Sequence, residues 1–126
     1  MVIKGGTKMR NIVITVTAES SEVKTNTSEI GVAGENLQAQ FIIDFCDKFI
    51  DGTATLEYQK ASGQKGLINL TKSDSTYSAV VSKDLTDEQQ SIKFQVKIVQ
   101  ATTTAGTPIF KSKIFELLVA ESINAV

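Results

Sequence analysis

Residues 37–45 run Leu37-Gln38-Ala39-Gln40-Phe41-Ile42-Ile43-Asp44-Phe45. In an extended chain Leu37, Ala39, Phe41, Ile43 and Phe45 fall on one side, and Gln38, Gln40, Ile42 and Asp44 on the other. A helix would spread those apolar side chains around its axis, whereas a strand gathers them. The period of two therefore predicts a strand with one buried face. The pattern returns downstream, where Ile92, Phe94, Val96 and Ile98 alternate with Lys93, Gln95 and Lys97. Shorter runs agree with it: Ile12, Ile14 and Val16, then Ala54, Leu56 and Tyr58, then Tyr77, Ala79 and Val81. β-Branched residues are dense and threonine is frequent, which suits a pleated sheet better than a helix.

Turn residues punctuate these runs. Asp51-Gly52 precedes the run from Ala54, Ser62-Gly63 and Gly66 follow it, and Ser73-Asp74-Ser75 precedes Tyr77. Residues 102–108 link the last two long runs, with Pro108, the only proline, opening the final strand. About seven strands with short loops and one buried face each describe an all-β, antiparallel β-sandwich; a barrel is the alternative architecture. Thr86-Asp87-Glu88-Gln89 has capping-box spacing and predicts one short helical turn near residues 86–90, within an exposed connection over 84–90. In the last strand Phe110, Ser112 and Ile114 share one face while Phe115, Leu117 and Val119 share the other. The apolar face switches near Lys113, which predicts a β-bulge. Residues 1–10 are expected as a flexible leader, 11–120 as the sandwich, and 121–126 as a tail or the start of a linker.

Composition narrows function by exclusion. The chain has 126 residues, a net charge of −1, no histidine, no tryptophan and one cysteine. Its length suits one domain that needs no disulfide or metal staple. Without histidine there is no Ser-His-Asp or Cys-His machinery and no His-ligated metal. Near-neutral charge gives no field to draw nucleic acid or anionic lipid. No run approaches a membrane span of about 18 apolar residues. Lys4, Lys8 and Arg10 are followed by no signal-peptide core. The sequons Asn26-Thr27-Ser28 and Asn69-Leu70-Thr71 are expected to be chance matches.

Each remaining candidate has a plainer structural explanation. Cys46 lacks a base to activate it and is expected to be structural or incidental. Asp44, Asp47 and Asp51 have oxygen ligands suited to calcium, but their spacing is not that of an EF-hand and they suit a turn. A glycosidase pair drawn from these or from Asp84, Asp87 and Glu88 is weaker still. Gly31-Val32-Ala33-Gly34 opens into a strand rather than a helix, and Gly63-Gln64-Lys65-Gly66 lacks the Walker ending; both are expected as loops. The aromatic residues, six Phe and two Tyr, fall mostly at inward positions, which argues against sugar or single-stranded nucleic acid platforms. Lys111 and Lys113 are expected to guard a strand edge. No catalytic, cofactor-binding or metal residue is nominated, and the chain is not expected to be an enzyme. Residues 23–36, a long polar connection with Glu29, Glu35 and Asn36, and residues 102–107 are the first places to seek contacts.

The antibody-type cysteine pair and strand tryptophan are missing. Thr15-Val16-Thr17-Ala18-Glu19, Ile30-Gly31-Val32-Ala33-Gly34-Glu35-Asn36, Ala39 and Phe41, with Ser112 through Phe115, Leu117 and Val119, form a wider pattern. It resembles the immunoglobulin-like amino-terminal domains of phage and prophage baseplate upper proteins from Gram-positive bacteria. The resemblance spans about residues 9–120 and rests on short, glycine-based motifs. It implies an immunoglobulin-like sandwich acting as a non-catalytic assembly module of a tail or baseplate. Such a module is made in the bacterial cytoplasm and carried in the particle. Its partners would be other phage structural proteins or further copies of itself, with no nucleic acid, membrane, cofactor or small-molecule substrate. Those family proteins are generally longer, with a helical linker and further domains after this module. The alternative expectation is an immunoglobulin-like binding module of a bacterial surface protein, an adhesin or a weak carbohydrate binder.

Overall fold

The computed structural model describes residues 9–123. Eleven strands and no helix form among them. In chain order they are β1 (Arg10–Val16), β2 (Val23–Thr25), β3 (Glu29–Val32), β4 (Ala39–Phe45), β5 (Thr53–Gln59) and β6 (Lys65–Asn69). Then follow β7 (Thr71–Ser73), β8 (Thr76–Val80), β9 (Gln90–Val99), β10 (Ile109–Lys111) and β11 (Phe115–Ala120). They make two sheets, a five-stranded one in the order β2-β1-β4-β8-β7 and a six-stranded one in the order β3-β11-β9-β5-β6, with β10 also beside β9. Both sheets end in edge strands, so the fold is not a closed barrel.

The period-two runs are the central strands. Ile12, Ile14 and Val16 of β1, Ala39, Phe41 and Ile43 of β4, and Tyr77 of β8 face Ala54 and Leu56 of β5, Ile92 to Ile98 of β9, and Leu117 and Val119 of β11. The Phe41 and Phe94 rings meet between the sheets at 5.5 Å. Fully burying side chains of this size contributes roughly 1.5–3 kcal/mol each, enough to hold two sheets together without a disulfide.

Several expectations need correction. The sheets are mixed rather than antiparallel: β1 runs parallel to β4 over all seven of its residues, and β3 runs parallel to β11. Residues 23–36 are the reason, since they hold β2 and β3 rather than one loop. This detour carries the chain from one end of the sandwich back to the other, so β4 sets out in the same direction as β1. Eleven short strands replace the seven expected because the final strand is split and the polar connections contain strands of their own. Gly31 and Gly66 lie inside β3 and β6, not in loops. Arg10 belongs to β1 rather than to a leader, while residues 1–8 and 124–126 lie outside the described residues.

The helical turn near residues 86–90 is absent. Thr86, the expected cap, is buried, and its hydroxyl donates to the Glu35 carbonyl on another loop. Gln90 already opens β9, and Leu85 is buried, so the 84–90 segment is not wholly exposed either. Leu37 departs from its strand pattern: it precedes β4 at φ 59° and is 52% exposed.

The bulge is present. Lys111 opposes Lys97 and Phe115 opposes Phe94, so four steps along the outer strand match three along β9. The additional residue turns the inward face from even-numbered to odd-numbered positions. Buried Ser112 bridges the gap: its amide donates to the Val96 carbonyl and its hydroxyl accepts the Val96 amide, both at 2.9 Å.

Candidate interaction surfaces

The strand directions give the sandwich two ends. At one end stand Val16, Phe45 and Val99, with the loops over residues 17–22, 46–52 and 100–108. At the other stand Arg10, Gln59 and Ala120, with the loops over 33–38, 60–64 and 81–89. The two segments singled out in the sequence do not come together. Residues 102–107 form a hairpin tip at the first end, pinned by the Thr102–Thr107 hydroxyl pair at 2.7 Å. Residues 33–36 lie at the second end, where Glu35 clamps Arg10 at 2.8 Å and accepts the Val32 amide at 2.9 Å. The guanidinium, and then that amide, hold the Glu35 carboxyl below its ordinary range.

Three of the candidate carboxylates, Asp47, Asp51 and Asp87, are separately engaged. Asp47 accepts the amides of Ala18, Glu19 and Lys48 at 2.8, 3.1 and 2.8 Å, and these bonds hold its carboxyl below the ordinary aspartate value. Asp51 pairs with Lys72 at 2.7 Å, which raises the lysine. Asp87 stands 3.4 Å from the ammonium of Lys60, whose stem is buried. Among the described residues no group of three or more acids or cysteines could hold a metal ion. Cys46 is exposed, with only the Thr17 hydroxyl at 3.3 Å. A recess of about 490 Å³ at the first end is lined by Ala18, Glu19, Asp47, Lys48, Phe49, Ile50 and Gln100. Of its two carboxylates, both on exposed residues, Asp47 is bound to three amides and Glu19 lines the rim. Lys113 pairs with Glu22 and Lys111 with Glu57 at 3.4 Å, which holds both lysines close to their strands. Among the described residues no helix is long and apolar enough to cross a membrane.

The outer faces of the two sheets differ in charge. On the six-stranded sheet the register sets Lys65-Gln59-Lys93-Glu116 in one row and Asn69-Thr55-Lys97-Lys111 in another, with Leu67-Glu57-Gln95 between them. Those rows carry four lysines and two glutamates, with Lys97 directly opposite Lys111. The five-stranded sheet instead lines up Val13-Ile42-Ser78-Thr71 in one row and Asn11-Gln40-Val80 in the next. Its charged members, Lys24 and Asp44, fall together in the row Lys24-Thr15-Asp44-Thr76-Ser73. Interface cores are depleted of charge in just this way. Sequence alternation identified the outward residues of each strand, but not which strands lie side by side, so this face was not legible before the register was known.

No protein-family model matches the chain, and no curated protein matches it.

Proposed function

We propose that the chain is a non-catalytic assembly module of a phage-like tail or baseplate, with an immunoglobulin-like sandwich. The observation that carries the reading is the weakly charged outer face of the five-stranded sheet, with Val13, Ile42 and Val80 set among amides and hydroxyls. Such a face suits a protein partner better than a sugar, a phosphate chain or a lipid surface. The strand order adds support. On this reading β4-β8-β7 would take the places of strands B, E and D of an immunoglobulin domain, and β11-β9-β5-β6 those of G, F, C and C′. The parallel β1 is the departure from that plan. Partners are other structural proteins of the particle or further copies of the chain. The reading needs no cofactor, membrane or nucleic acid, and places the finished protein in a particle assembled inside a bacterium.

Immunogold labelling tests it. Antibodies raised against the purified chain are applied to phage-like particles induced from the source strain, and gold at the tail tip is the expected result. Particles that carry none of the antigen, together with binding of the chain to a glycan array, would replace this reading with the surface-binding alternative.

A further inference from the structure

The six-stranded sheet ends at β6, and the backbone bonds there show which groups its edge presents. Lys60 donates its amide to the Gln64 carbonyl at 2.8 Å, and Leu70 donates to the Ala54 carbonyl at 3.1 Å. In an antiparallel ladder bonded pairs recur at every second residue, so Gly66 and Ile68 also bond toward β5. The N–H and C=O groups of Lys65, Leu67 and Asn69 therefore point away from β5, and among the described residues nothing meets them.

The other edges are blunted. β2 has only three residues, and beyond it Asn26 covers the edge of β1, its side chain accepting the Val13 amide and donating to the Asn11 carbonyl. β7 and β10 have three residues each, and β10 follows Pro108. β3 has four residues and opens on Glu29. β6 has five residues, with Lys65 at its start as its one charge, no proline and no bulge, and its central Leu67 is 56% exposed. Native proteins seldom leave such an edge uncovered.

We propose that β6 pairs with β6 of a second copy, antiparallel about a two-fold axis at Leu67. The proposal rests on the assembly reading and deepens it by naming the partner and the contact. Within β6 the residue numbers that face each other across such an axis must be symmetric about 67. Leu67 then meets the second copy's Leu67, and Lys65 meets its Asn69. All three outward residues of each strand fall in bonded pairs, and any shifted antiparallel register leaves at least one of them without a partner. The same register sets each lysine opposite an asparagine, which avoids placing two ammonium groups face to face. The exposed Leu67 side chains cover one another at the axis. Such an isologous contact closes on itself, so it yields a dimer and not a fibre.

The experiment is sedimentation velocity of the full chain over a wide concentration range, with amide hydrogen exchange read residue by residue. The wild type is expected to dimerise, slowing exchange at Lys65, Leu67 and Asn69 while Gly66 and Ile68, already bonded to β5, stay as they were. Leu67→Pro removes no bond within a copy, because that amide points outward, but it interrupts the paired edge. Leu67→Lys keeps the backbone and sets two charges at the axis. Both variants should weaken the dimer by about tenfold or more with unchanged circular dichroism. If Leu67→Pro does not fold, Leu67→Lys decides. A wild type that stays monomeric, or a dimer that Leu67→Lys leaves intact, overturns the proposal. Gold labelling of particles is independent of both results, so the assembly reading stands or falls separately.

Discussion

Tyr77 ties the crossing between the sheets through a single oxygen. Its hydroxyl donates to the Ile50 carbonyl at 2.7 Å and accepts the Gly52 amide at 3.1 Å, while its ring stacks on Phe49 at 5.3 Å. Tyr77→Phe strands both loop groups and should cost about 1–3 kcal/mol, read as a lower denaturation midpoint with an unchanged m-value. Burial, the largest influence, raises the Tyr77 hydroxyl above its ordinary value. The unfolded chain therefore ionises first. Stability attached to this group is complete below the ordinary tyrosine value of about 10 and is lost as pH climbs through the higher folded value. Thermal melts at rising alkaline pH should show that loss in the wild type, and a shallower one in Tyr77→Phe. Gly52 beside it has no room for a side chain: a Cβ there would lie 2.4 Å from the Val99 carbonyl oxygen, which is backbone and cannot swing aside. Gly52→Ala should cost roughly 1–3 kcal/mol by calorimetry. Alternation placed Tyr77 inward correctly, but the use of its hydroxyl depends on a loop 27 residues away in sequence.

Among the elements, the split final strand shows how far a pattern can be followed. The switch from Phe110 and Ser112 to Phe115 and Leu117 announced a bulge, because only one additional residue exchanges the two faces. What the pattern did not announce was the role of Ser112 in closing it. Ser112→Ala leaves the buried Val96 amide without its acceptor and should lower stability by about 1–3 kcal/mol, whereas Ser112→Thr should retain most of it. The capping-box reading failed for a related reason. Four residues with the right spacing can form a turn, but Thr86 is drawn into the interior by its bond to the Glu35 carbonyl, and the Gly34 amide donates to the Thr86 carbonyl at 2.7 Å. β2 and β3 escaped notice because strands of three and four residues are too short to show a period. The loops also carry an acid sensitivity. Asp47 and Glu35 both have carboxyls held low in the fold, so their contribution is present above the ordinary carboxylate range and is lost as pH falls through the folded values. Asp47→Asn should flatten the acid limb of a stability-against-pH curve.

For the whole molecule, the all-β class, the central strands and the two-sided core were legible, since each follows from the spacing of side chains within one run. Pairing was not, because the partner of a strand is chosen by the rest of the chain. The β1–β4 and β3–β11 contacts join residues far apart in sequence and run parallel. A fold dominated by such closures should refold on a timescale of milliseconds to seconds, measurable by stopped-flow tyrosine fluorescence; microsecond refolding would contradict it. The same parallel pairs bring Arg10, which opens β1, and Ala120, which closes β11, to one end of the molecule, in opposite sheets. Tension drawn between those two residues acts across the sandwich and parts the layers from that end, breaking hydrogen bonds in succession like a zipper. Tension between Arg10 and Thr104, at opposite ends, runs along the strands and strains the whole β1–β4 ladder at once, like a lap joint. Held in an optical trap, the protein should yield at lower force in the first geometry, so its mechanical strength depends on where it is gripped.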